Sequence, residues 1–192
     1  TIFGIYQFAG LFLGGLAAII LLVNWFERIG PLRGLLRDDH LHDLGKLLFA
    51  FSSFWMYIWF SQYMLIWYAN IPEEAGYYIT RTTGAWGSLF VAGMVLSWLG
   101  PFLILLPRRA KCSRTVLVRV AVIVLVGRWL DLYVTIMPAL RPEAPLPGLP
   151  ETASWLLANV VFGLAVARAF SRQGPVPLND PNLQESLTYH SS

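Results

Sequence analysis

Three stretches of this chain, residues 1–26, 47–72 and 82–107, contain no Asp, Glu, Lys or Arg. Runs of that length constrain the fold more than any motif does. About 20 residues at roughly 1.5 Å rise cross a hydrocarbon layer of about 30 Å, and backbone placed there must hydrogen-bond to itself. The composition agrees: 56% of residues are hydrophobic, 13% are charged, and the mean hydropathy is +0.57. An all-α integral membrane protein is the expected fold, and collagen-like, disordered and disulfide-rich classes are excluded. The single cysteine, Cys112, has no intrachain disulfide partner, and the absence of CxxC and CxxCH rules out a local zinc ribbon, iron–sulfur cluster or c-type haem site. The net charge of +3 is no nucleic-acid signal, because the charges cluster at helix ends.

Two further spans complete a predicted bundle of five transmembrane helices, at about 2–26, 47–69, 82–107, 116–137 and 152–170, within a membrane unit 1–171. The fourth contains Arg128 and Asp131, and the fifth is interrupted only by Arg168. Between the spans lie residues 27–46, 70–81, 108–115 and a stretch from 138 to 150 in which Pro138, Pro142, Pro145, Pro147 and Pro150 argue against helix interior. A polar tail follows at 172–192, with Asp180-Pro181 resembling a short helix start. Lys and Arg are unevenly shared between alternate connections. Arg28, Arg33, Arg37, Lys46, Arg108, Arg109, Lys111, Arg114, Arg119, Arg168 and Arg172 fall on one side, against Arg81 and Arg141 on the other. By the positive-inside rule the first and third connections and the C-terminus are expected in the cytoplasm. A chain whose first residues already open an apolar helix reads as part of a longer polypeptide, here the second half of one.

Polar residues inside the spans carry the functional expectation. The second span begins in a charged mouth, Asp38-Asp39-His40-Leu41-His42-Asp43-Leu44-Gly45-Lys46. At about 100° per residue, His42, Lys46, Ser53, Tyr57, Ser61 and Tyr68 share roughly a third of the helix circumference. Such a stripe, with Asp43 at its entrance, is one wall expected of a hydrated proton path, in which ionisable groups collect protons and hydroxyls order water. The plainer alternative is a helix cap followed by hydroxyls bonded to backbone or to neighbouring helices. In the fourth span Arg128 and Asp131 stand three apart on one face, with Thr135 a turn beyond. An unpaired Arg at mid-bilayer costs at least about 2.5 kcal/mol, so the two are expected to face the interior and to pair. That pair serves either proton coupling or simple helix adhesion. Gly10, Gly14 and Gly15 give the first helix a close-packing face, and Trp67, Tyr68, Tyr77 and Tyr78 fit an interfacial belt. His40 and His42 lie together at a helix entrance and His190 in the tail, which is no arrangement for two axial haem ligands.

The runs from Asp39 through Phe51 (DHLHDLGKLLFAF), from Tyr57 through Glu74 (YIWFSQYMLIWYANIPEE) and from Gly127 through Tyr133 (GRWLDLY), with a similar ending Asp180 to Leu187, resemble the C-terminal half of NrfD-like, polysulfide-reductase-like membrane subunits. Within that family the likeness is to the smaller of the two such subunits of alternative complex III, a bacterial quinol:cytochrome c oxidoreductase. The resemblance implies a ten-helix subunit of the bacterial inner membrane, partnered by an iron–sulfur protein, a multi-haem cytochrome c and a second NrfD-like subunit. It implies proton translocation coupled to oxidation of a menaquinol-type quinol, with no cofactor held by this chain, and it points to His42, Asp43, Lys46, Arg128 and Asp131. Five helices stand where ten are implied, and the other half is where such subunits place their quinol pocket. A structural scaffold and a quinone-binding subunit are the competing expectations.

Overall fold

The computed structural model describes residues 2–30, 32, 37–143, 145–172 and 181, and every regular element among them is helical. In chain order these are α1 (Phe3–Ile29), α2 (Asp38–Ala69), α3 (Pro72–Thr82), α4 (Gly84–Met94), a π-helical turn (Val95–Leu99), α5 (Gly100–Leu105), α6 (Arg108–Cys112), α7 (Arg114–Leu140) and α8 (Leu149–Arg172). Four rods among the described residues are long and apolar enough to cross a membrane: α1, the continuous run Gly84–Leu105, α7 and α8. The chain is thus an all-helical protein built for multiple membrane passes. Helix α2 is the longest, at 32 residues, or about 48 Å at 1.5 Å per residue. Its Ser, Gln, Tyr and Trp content keeps it outside those four. Of the tail 172–192, only Arg172 and Pro181 lie within the described residues; Arg33, Asp180 and His190 lie outside them.

Local chemistry sets the boundaries. Helix α2 stops at Asn70, whose left-handed backbone (φ 48°) returns its N–H to Ile66 O, the short polar side chain tolerating a conformation most residues avoid. Pro72 then opens α3 at its first position, Glu73 and Glu74 sit at the positive end of its dipole and Arg81 at the negative end. The connection 70–81 is therefore largely helical. A correction concerns Pro138, which lies inside the last turns of α7 and is buried there, although the proline-rich stretch was expected to exclude helix from that point. Near a C-terminus a proline forfeits only one internal hydrogen bond, and Arg81 of α3 takes over the carbonyl it frees.

The core is a seam where α1 meets α2 and α7. Tyr6, Ala9, Leu13, Leu16, Ala17 and Ile20 of α1, mostly at spacings of three and four, pack on Leu48, Trp55 and Ile58 of α2 and on Leu117, Val120, Ala121 and Val124 of α7. A smaller cluster of Trp86, Tyr133 and Val134 joins α4 to α7, and the Trp86 indole donates to Pro142 O at 2.7 Å. Helix α8 stands apart with no buried residue. It touches the rest through Phe26–Phe170, ring centroids 4.1 Å apart, Trp129–Trp155 at 5.8 Å, and an Arg141–Glu151 ion pair at 3.0 Å. Gly127 lets α7 press against the π-helical turn: a Cβ there would lie 2.7 Å from Ser97 Oγ and 2.8 Å from the Leu96 carbonyl carbon. Gly127→Ala should therefore destabilise the protein by about 1–3 kcal/mol, the usual cost of overpacking. Gly14→Ala, which meets nothing within 4 Å, should leave stability within about 0.5 kcal/mol of the parent; thermal unfolding in detergent compares them.

Candidate functional site

The fourth predicted span supplies the centre of the site. Arg128 and Asp131, one turn apart on α7, have side chains only 7% and 12% exposed and form an ion pair, Nη1 to Oδ2 at 2.9 Å. Tyr6 of α1 completes the group, its hydroxyl donating at 2.5 Å from each carboxylate oxygen. Carboxylate, guanidinium and phenol thus form one charge-assisted network between two long apolar helices. The rest of the guanidinium is held by shape and by rings. Its central carbon lies 5.0 Å from the Trp55 ring centroid and 6.0 Å from that of Tyr6, within reach of the attraction between a cation and an aromatic face. Its Nη2 lies where a Cβ on Gly10 would be, so only glycine leaves room for it. Arg128 Nε and Trp55 Nε1 are buried without a hydrogen-bond partner.

Asp131 and Tyr6 also open onto a cavity of about 320 Å³ at the α3 end of the bundle, shared with Phe3, Trp59, Gln62, Ile66, Glu74, Tyr77, Tyr78, Arg81, Phe90, Val134 and Thr135. Six of its thirteen wall residues are aromatic, and Gln62, Glu74, Arg81, Asp131 and Thr135 bring polar groups to it, a composition suited to a small molecule or water. Burial holds the Tyr78 hydroxyl well above the usual phenol range, so it enters the cavity wall neutral, as a donor. Tyr78 is buried in that wall. Thr135 lies on the same wall, its hydroxyl donating to Asp131 O at 2.8 Å.

The polar stripe of α2 is placed differently. The buried face of α2 carries Leu41, Leu48, Ser52, Trp55, Ile58 and Ile66, and most of the stripe lies away from it. Tyr57 is 65% and Tyr68 86% exposed. Ser53 donates to Phe49 O at 3.1 Å, one turn back in its own helix, as hydroxyls in apolar helices commonly do. Asp43 and Lys46 form a partly exposed pair at 2.6 Å, and His42 is buried at the same end. Of the expected wall, His42 is buried, whereas Lys46 and Tyr57 are exposed and Ser53 bonds within its own helix; Trp55 and Leu48 fill the interior at that depth. Gly10, Gly14 and Gly15 together border an open groove of about 830 Å³ towards α8, with Arg128 seated at Gly10 and nothing packed within 4 Å of a Cβ at the other two.

Three site residues carried no advance signal. Tyr6 was indistinguishable from other aromatics of an uncharged run, and Gln62 from a helix-surface amide. Arg81 was visible only as a charge in a connection, yet it is buried, and its guanidinium donates to Val134 O, Thr135 O and Tyr77 O. Among the described residues no cluster of His, Cys, Asp or Glu could hold a metal ion. No family model matches the chain, and no curated protein matches it significantly. Removing one member of the network tests its weight. Tyr6→Phe takes away the hydroxyl that Asp131 uses and should lower stability by about 1.5–3 kcal/mol, the range for a hydrogen bond to a charged group. Denaturant unfolding in micelles measures it, and a loss below about 0.5 kcal/mol, the range of inconsequential substitutions, would show that the carboxylate does not depend on Tyr6.

Proposed function

We propose that the chain is an integral-membrane subunit of a bacterial quinol-oxidising electron-transfer complex of the alternative complex III type, in which Asp131 handles protons and the outer surfaces anchor redox partners. On this reading α2 crosses the inner membrane as a fifth span within a larger subunit, and the C-terminus lies in the cytoplasm. The iron–sulfur protein and the multi-haem cytochrome c carry the electrons, a menaquinol-type quinol supplies them, and the second NrfD-like subunit is a further membrane partner. The observation that carries the proposal is the buried Tyr6–Asp131–Arg128 network with its opening to a cavity.

Such a network converts protonation into movement. While Asp131 is ionised it neutralises Arg128 and accepts from Tyr6. A proton arriving from the cavity at a carboxylate oxygen cancels that charge, forces the Tyr6 hydroxyl to give up one acceptor, and leaves Arg128 without a counter-ion. Holding a bare Arg at that depth costs at least about 2.5 kcal/mol, so the helices must rearrange or the proton must move on. A carboxylate of this kind couples an event elsewhere in a complex to proton transfer without a redox centre of its own.

Asp131→Asn keeps the shape and removes the titration. In the intact complex reconstituted into liposomes, the substitution should lower the number of protons moved per electron while quinol oxidation continues. An unchanged ratio rejects the proton-handling role. Reduced yield of complex with normal coupling in what assembles would instead favour a scaffold, in which the ion pair only holds α7 in place.

A further inference from the structure

Pro138 has no N–H, so Val134 O, four residues earlier in α7, lacks the donor that position would normally supply. Arg81 supplies one from α3: its Nε lies 3.0 Å from Val134 O and its Nη2 2.6 Å from Thr135 O. The third nitrogen donates to Tyr77 O at 2.8 Å, and the guanidinium lies 3.6 Å from the Tyr77 ring centroid. Arg81 is 6% exposed. A rigid, permanently charged fork therefore bridges a short helix to the proline turn of a long one, where Lys, with a single point charge, could not span the same acceptors.

The bridge sits beside the carboxylate. Thr135, whose carbonyl Arg81 holds, donates its hydroxyl to Asp131 O, and both residues share the cavity wall with Gln62 and Tyr78. Helix α3 lies over this cavity, entered through the left-handed Asn70 and left through Gly84 at φ 60°. A residue of positive φ flanks it on either side, and Arg81 in its last turn pins it to α7.

We propose that Arg81 is the latch of this cavity: by occupying the carbonyls beside Pro138, it keeps α3 closed over Asp131 and sets the access of that carboxylate to water at the α3 end of the bundle. Arg81 is a positioning residue, acting through α3 and α7 and touching no transferred proton. Its importance for coupling rests on the role proposed for Asp131; the latch itself rests on geometry.

The test measures access directly. Gln62→Cys in a Cys112→Ser background places one thiol on the cavity wall, and its rate of reaction with a charged methanethiosulfonate is followed in the purified full-length protein in nanodiscs. Arg81→Ala should raise that rate at least about tenfold, since hydrogen bonds from a charged donor are among the strongest available, and Arg81→Lys should fall between. Pro138→Ala restores the missing N–H and gives Val134 O a donor of its own, so in that background Arg81→Ala should raise the rate by a clearly smaller factor. The native Cys112, at the other end of the bundle, should react equally fast with and without Arg81→Ala in protein lacking the reporter. Equal reporter rates with Arg and Ala at position 81, the same factor in both backgrounds, or parallel acceleration at Cys112 would each overturn the latch. None of these rates depends on proton coupling, so the latch and the role of Asp131 fail separately.

Discussion

A guanidinium in the middle of an apolar bundle cannot be left to itself, and most of what is distinctive here follows from accommodating Arg128. Hydrocarbon offers it neither water nor counter-ion. Asp131 lies one turn away to neutralise it, Tyr6 crosses from α1 to share the carboxylate, Trp55 presents a ring, and position 10 is glycine because the guanidinium occupies the space of a Cβ. The α1–α7 contact is close for that reason. Between transmembrane helices apolar contact alone gives little preference over lipid, so a charge-assisted hydrogen bond and a small residue at the crossing do much to fix which faces meet.

The same logic operates a turn or two along α7, with backbone in place of side chain. Pro138 opens a carbonyl where water is scarce, and a buried Arg from another helix fills the vacancy. Two arginines thus solve two desolvation problems on one helix, one by binding a carboxylate and the other by binding carbonyls. Between them lies the cavity onto which Asp131 opens, so the two solutions are mechanically adjacent.

Long uncharged runs made the helical membrane class legible, and the cost of burying charge made the Arg128–Asp131 pairing legible, because both depend on residue type and on spacing within one helix. In α2, residue type and spacing within one helix no longer decide. A helical projection groups His42, Ser53, Tyr57 and Ser61 on one face, yet it does not say which face the neighbours will cover. Trp55 and Leu48 bury more apolar surface than a serine–tyrosine stripe offers and so claim the interior, while Ser53 satisfies itself within its own helix. Tyr6 and Arg81 were illegible for the complementary reason. Their partners lie 125 and more than 50 residues away, and no local pattern reports a contact of that range.

Helix α3 shows how a weak local signal gains meaning from tertiary context. Asn70, Pro72 and the Glu73-Glu74 pair are sufficient grounds for a helix start, yet a helix of 11 residues, with Glu, Thr and Arg among them, would be marginal alone in water. Arg81 holds α3 together with Tyr78, which packs on Tyr63 and Phe90, and what gives Arg81 its acceptors is a proline turn more than 50 residues downstream. An isolated α7 would be better off without Pro138, and an isolated α3 would have no use for a buried charge. Each becomes tolerable only through the other, and a contact made of two such mutually dependent defects is well suited to having a closed and an open state, because losing either half removes the reason for the rest.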